Sequence, residues 1–142
     1  ELPKMKTEMS LFLVAGMFGI SISSILIAMN LELPFEIFDW QIASILLFIF
    51  ILLAFVGIHP IITIAIIGDF LSGVNHPLLA VTFLLAVSTA VSTSPFSGLN
   101  LTVVARYDFS VKEIFKLNIF YAFKMYLICI VCLFILSKYL GL

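Results

Sequence analysis

Charge is sparse in this sequence. Lys, Arg, Asp and Glu make up 11% of its 142 residues, and seven basic against eight acidic side chains leave a formal net charge of −1. No basic cluster points to an anionic partner, so nucleic acid is excluded and an acidic lipid surface is not signalled. Cysteine is scarcer still: Cys129 and Cys132 form a C-x-x-C inside the apolar run 126–136, with no second pair to complete a zinc site. They read as small packing or lipid-facing residues, and neither a metal centre nor a resident cofactor is expected. Between 40 and 68 the only titratable side chain is His59.

What is present is apolar. Hydrophobic residues make up 63% of the chain and the mean hydropathy is +1.29, far outside the range of soluble domains. The expected class is an all-α integral membrane protein with the lipid bilayer as its solvent. At roughly 20 residues per span, the chain holds about four or five spanning elements, few for a complete carrier. It opens on Glu1-Leu2-Pro3 without an initiator Met and turns apolar at once. The expectation is therefore a single membrane domain, 1–142, forming the C-terminal part of a larger protein. The stretch 9–29 is longer than a signal-peptide core of about 7–15 residues and lacks a small-residue cleavage pattern, so it reads as a span.

The uncharged stretches and their flanks predict the layout. A first span covers 9–29, with Gly16, Gly19, Ser21, Ser23 and Ser24 as small residues that let another helix approach closely. Residues 31–40 mix Glu32, Glu36 and Asp39 with Phe35, Phe38 and Trp40, which suits a short interfacial segment opened by Pro34. Residues 41–74 then form two apolar arms around Gly57-Ile58-His59-Pro60. Each arm is shorter than a span, and as one helix the pair would measure roughly 50 Å at 1.5 Å per residue, so a re-entrant helical hairpin is expected. A fourth segment, 77–106, is broken in its middle by Ser92-Thr93-Ser94-Pro95-Phe96-Ser97-Gly98, and a final span covers 113–138. With the hairpin dipping from outside, Lys4, Lys6, Arg106, Lys112 and Lys116 share the cytoplasmic side. Lys124 is read as snorkelling toward that side, Asp69 as lying near the outer surface, and Tyr126 as a packing residue.

The two interruptions are the candidate site. Unwound backbone at membrane depth persists only where protein or a water-filled cavity satisfies its polar groups. Discontinuous helices bring partly positive half-helix ends and free carbonyls to the midplane, able to hold an anion and a cation respectively. At the first break, Gly57 lets a ligand approach the backbone and His59 can donate, accept or titrate. At the second, Ser92, Thr93, Ser94, Ser97, Asn100 and Thr102 supply hydroxyl and amide groups around Gly98, and the missing N–H of Pro95 is expected to leave neighbouring carbonyls facing a cavity. The same residues admit plainer readings, since serines and threonines in helices bond to the preceding turn. A channel-like protein also uses re-entrant segments, and an intramembrane enzyme would take His59 with Ser92 or Ser94 as nucleophile but has no acid placed to orient the histidine.

The order of span, interfacial segment, hairpin, broken helix and final span resembles one half of the ion transporter superfamily, which includes dicarboxylate, citrate and arsenite carriers and the large membrane subunit of TRAP transporters. Leu2-Pro3-Lys4-Met5 with Leu11-Phe12-Leu13-Val14-Ala15-Gly16, Gly57-Ile58-His59-Pro60 and Ser92 to Asn100 carry the resemblance. It covers nearly the whole chain but one of the family's two inverted repeats. It implies a multi-pass protein of the cell (inner) membrane and a secondary active transporter rather than an enzyme. Such a carrier moves a small anionic substrate such as a carboxylate by alternating access, with Na+ or H+ as coupling ion. Its implied partners are the N-terminal half of the same transporter and a second copy in a homodimer. Carboxylate carriers of the superfamily show Ser-Asn-Thr at both breaks; here Gly57 to Pro60 and Ser92 to Gly98 stand in those places.

Overall fold

The computed structural model describes residues 2–29, 35, 37–68, 70, 71, 73, 74, 76–107 and 109–142, without the side chains of 2–9, 11, 12, 15 and 76. The described structure is all-helical: α1 Leu2–Ala28, α2 Trp40–Val56, α3 Pro60–Ile67, α4 His76–Thr93, α5 Gly98–Tyr107 and α6 Val111–Tyr139. Two segments, Pro77–Tyr107 and Val111–Tyr139, are long and apolar enough to cross a membrane. Half of the expected interfacial segment 31–40, including Pro34, lies outside the described residues, as do Asp69 and Asn75. Helix α1 starts well before residue 9, because Lys4, Met5, Lys6 and Glu8 are good helix formers whatever their hydropathy. The second hairpin arm, expected to reach 74, is helical only to Ile67, where Gly68 and then Gly73 weaken helix propensity.

The chain divides into two compact units, Glu1–Glu36 with Ile61–Gly73, and Ile37–Pro60 with Val74–Leu142. In the first, α1 meets α3 at Gly19, where an added Cβ would lie 2.5 Å from the carbonyl oxygen of Ala65. Only glycine permits that approach, and of the expected small-residue positions this one carries it. Ser21 and Ser24 return their hydroxyls to the carbonyls of Met17 and Ile20, each at 2.8 Å.

The second unit is built on three mutually packed helices, α2, α4 and α6, with α5 against α4 and α6. Helix α2 buries Ala43, Leu47, Phe50 and Ala54, one stripe at helical spacing. Against it, α4 buries Leu78, Thr82, Ala86, Ala90 and Thr93, and α6 buries Ile114, Ala122, Cys129 and Leu133. Alternation of large with Ala and Thr side chains lets the backbones come close. The contacts fix direction. Trp40 packs edge-on against Phe134, Phe48 against Tyr126 and Phe55 against Phe115, so α6 runs antiparallel to α2. Phe50 meets Phe83 and Ala54 meets Ser94, so α4 runs parallel to α2. The Tyr126 hydroxyl donates to the Ser44 carbonyl at 3.2 Å, consistent with its reading as a packing residue.

The helix ends follow from local chemistry. Asp39 caps α2, its Oδ1 accepting from Gln41 and Ile42 N–H, both at 3.0 Å. Ser110 and Glu113 form a reciprocal capping box that starts α6 at Val111. These two caps determine where the long apolar helices of this unit begin.

Candidate functional site

The first interruption is set by Gly57, at φ +101°, a left-handed conformation that glycine adopts without strain. Its N–H donates to the Ala54 carbonyl at 3.1 Å, and Ile58 N–H to the Leu53 carbonyl at 2.9 Å, the paired bonds of a Schellman ending. The chain then passes through Ile58 and His59 to Pro60, which starts α3 at the one helical position where a missing N–H costs nothing.

The second interruption is set by Pro95. It has no N–H for the i−4 carbonyl and disfavours helical backbone at Ser94, so α4 stops at Thr93. Helix α5 starts again at Gly98 behind Ser97, whose Oγ accepts the Asn100 N–H at 3.2 Å and whose carbonyl accepts Leu101 N–H at 2.9 Å.

The carbonyls expected to be free at this break are taken. The Asn100 amide donates back to the Ser92 and Ser94 carbonyls at 3.2 and 2.8 Å, and Asn118 of α6 donates to the Thr93 carbonyl at 3.0 Å. The Ser92 and Thr93 carbonyls at the end of α4 are thereby satisfied by two side-chain amides, and the Ser94 carbonyl takes the Asn100 amide beside the Ser97 N–H at 3.1 Å, as buried polar groups require. The expectation of carbonyls facing a cavity at this break is corrected accordingly. At the start of α5, Ser97 takes the Asn100 and Leu101 N–H groups, and those of Gly98 and Leu99 have no partner within their own helix and lie at the positive end of the dipole.

The two interruptions meet. The Ser94 hydroxyl donates to the Ala54 carbonyl at 2.6 Å, joining the end of α4 to the end of α2. Beside this bond lies a cavity of about 230 Å³ lined by Ala54, Gly57, Ile58, His59 and Pro60 from one break and by Ala90, Val91, Ser94, Phe96, Ser97, Gly98 and Leu99 from the other. His59 is half-buried and is the only titratable side chain of that lining. The Phe96 ring stands 3.4 Å from where a Cβ on Gly57 would lie, so the wall is tight there.

Of the nine residues singled out from sequence, Gly57, His59, Ser94, Ser97 and Gly98 come together on this cavity. The other four are not among its lining. Ser92, Thr93 and Thr102 return their hydroxyls to Ser88, Thr89 and Gly98 carbonyls at 2.9, 2.7 and 2.7 Å, the plainer reading of such residues. Asn100 is buried behind the break as its staple. Sequence reasoning passed over Asn118. Its signal is an amide in the apolar run after Lys116, where a polar side chain has to find a partner. Lys124 is exposed and away from the cavity, Cys129 is buried against Thr89, its Sγ 3.9 Å from Oγ1, and Cys132 is exposed.

No family model, curated protein or solved structure matches this chain. The chemistry available at the site is therefore read from its geometry: a small, mostly apolar chamber with helix N–H groups, one imidazole and the hydroxyl of Ser97. It can hold a small solute that accepts hydrogen bonds.

Proposed function

We propose that the chain is one inverted-repeat half of a membrane-embedded secondary carrier of the ion transporter superfamily, and that a small anion such as a carboxylate binds between the Gly57–Pro60 connection and the Ser94–Ser97 break. One observation carries the reading: two helix interruptions far apart in sequence line a single cavity and are tied by the Ser94–Ala54 bond. Interrupted helices that meet at a ligand chamber are the working part of many carriers. The volume of about 230 Å³ falls below the pockets of about 300–1,000 Å³ that take drug-sized ligands, which favours a small ion.

Membrane insertion is supported by the two long apolar segments and by the apolar face that α6 turns outward, including Leu117, Phe120, Phe123, Ile128, Val131 and Ile135. The re-entrant hairpin is supported by length, because α2 has 17 residues and α3 has 8, each short of the roughly 20 of a span. The parallel run of α2 and α4 makes the chain between them return, as two full spans would also do. Transport is preferred to hydrolysis because both candidate nucleophiles, Ser92 and Ser94, give their protons to main-chain carbonyls rather than to His59. The coupling ion, Na+ or H+, is assigned to the remainder of the carrier, since the α4 carbonyls at this break are already bonded.

The test is uptake of labelled mono- and dicarboxylates into vesicles carrying the full-length protein under an imposed Na+ or proton gradient. Uptake should occur, and His59→Leu should lower apparent affinity while His59→Gln, which keeps a hydrogen-bonding group, should lower it less. Folded protein that moves no anion under either gradient, or that instead cleaves a membrane ester or peptide, overturns the proposal.

A further inference from the structure

A second concave feature lies on the face shared by α2 and α6, with Phe96 standing between its far part and the cavity. Phe48, Leu52 and Phe55 of α2 and Ile119, Phe123 and Tyr126 of α6 line an apolar groove of about 310 Å³. On the other side of the Phe55–Phe115 pair, whose ring centroids are 5.4 Å apart, lies a hollow of about 460 Å³ bordered by Pro95, Phe96, Lys112 and Lys116. Phe55 and Phe115 line both parts, so an apolar groove and a hollow with two lysines adjoin across that ring pair.

The charges at that hollow are one-sided. Lys112 and Lys116 are one helical turn apart and both exposed, so their ammonium groups can converge on one acceptor. The neighbouring Glu113 turns its carboxylate back to Ser110, accepting from the backbone N–H at 2.8 Å and the hydroxyl at 2.9 Å. The far end carries no unsatisfied polar group, because the Tyr126 hydroxyl is bonded to Ser44. From Phe115 to Tyr126 the helix rises about 16 Å at 1.5 Å per residue, close to one leaflet of a hydrocarbon core roughly 30 Å thick.

We propose that this groove binds one acidic phospholipid, its acyl chain along Phe48, Leu52, Phe55 and Phe123 and its phosphate between Lys112 and Lys116. The occupant follows from shape and charge together. An apolar trough the length of one leaflet takes a lipid chain, and two lysines at its mouth select an anionic head. Basic pockets between helices on the cytoplasmic side are suited to such heads. The site rests on the membrane reading given above but not on transport.

The test uses the full-length protein reconstituted in vesicles of phosphatidylcholine with or without phosphatidylglycerol, followed by detergent extraction and measurement of the lipid that stays bound. Wild type should retain phosphatidylglycerol over phosphatidylcholine. At about fivefold per lysine, K112Q/K116Q should weaken that preference about 25-fold, while K112R/K116R should keep it and Lys138→Gln should leave it unchanged. Phe115→Ala should reduce retention of both lipids, and inorganic phosphate should not displace the bound lipid. Equal retention of the two lipids by wild type, an unaltered preference in K112Q/K116Q protein with a normal melting curve, or displacement by phosphate alone overturns the proposal. Protein that fails to partition with vesicles at all contradicts the membrane reading instead, and failed anion uptake leaves the lipid site standing.

Discussion

The hydroxyl of Ser94 donates to the main-chain carbonyl of Ala54 at 2.6 Å, so a residue at the end of α4 holds the last turn of α2 in place. Both groups are buried, and the Ala54 carbonyl also accepts from Gly57 N–H. This single bond fixes the two helix breaks against each other and sets the width of the cavity between them. Ser94→Ala should lower unfolding stability by about 1–2 kcal/mol and weaken carboxylate binding by more than that stability loss explains. Calorimetry beside an anion-binding titration measures both; a stability loss with unchanged affinity would make Ser94 a structural tie only.

Asn100 and Asn118 each satisfy one acceptor at the end of α4. Asn100→Ala leaves the Ser92 carbonyl without its amide donor, since Ser94 keeps the Ser97 N–H at 3.1 Å, and Asn118→Ala does the same to Thr93, at about 1–3 kcal/mol for each buried orphan. Denaturation in a mild detergent should place both variants below wild type by similar amounts. Wild-type stability in Asn100→Ala would mean that water or a ligand replaces its amide.

Gly57 is the backbone switch of the first break. At φ +101° an alanine is strained by about 1–2 kcal/mol, while its Cβ would meet the Phe96 ring at 3.4 Å, an ordinary contact distance. Gly57→Ala should therefore destabilise the fold through the backbone, and adding Phe96→Ala should restore nothing. Recovery of the melting temperature in the double variant would show that crowding, not backbone strain, sets the cost.

Ile58 tests the hairpin directly. Its side chain is exposed beside the cavity, so after Cys129 and Cys132 are replaced by Ala, Ile58→Cys should react with a membrane-impermeant thiol reagent from outside and be protected by a bound anion. Labelling from the cytoplasm as strong as that of Lys112→Cys would instead indicate two complete spans.

Much of the local structure was legible because local chemistry decides it. Pro95 ends α4 and Gly57 ends α2 through their own backbone constraints. The Ser110–Glu113 cap that starts α6 was passed over, and because α2 is apolar on nearly every face, only packing picks out its buried stripe 43, 47, 50 and 54. Thr102 and Ser92 also behaved as their residue type allows, bonding to the turn before. Asn118 was harder to read. Nothing in its neighbours says which carbonyl it will meet, since Thr93 lies on another helix.

The sequence by itself therefore determined an all-helical, strongly apolar chain and the positions of its two breaks, because hydropathy and backbone constraints act residue by residue. Only the tertiary structure decided that those breaks share a cavity, that the last α4 carbonyls are capped by side-chain amides, and that Lys112 and Lys116 border a hollow lined by Phe55. Each of these depends on which faces of α2, α4 and α6 pack together. That choice is made by interdigitating side chains far apart in sequence, with no local signature.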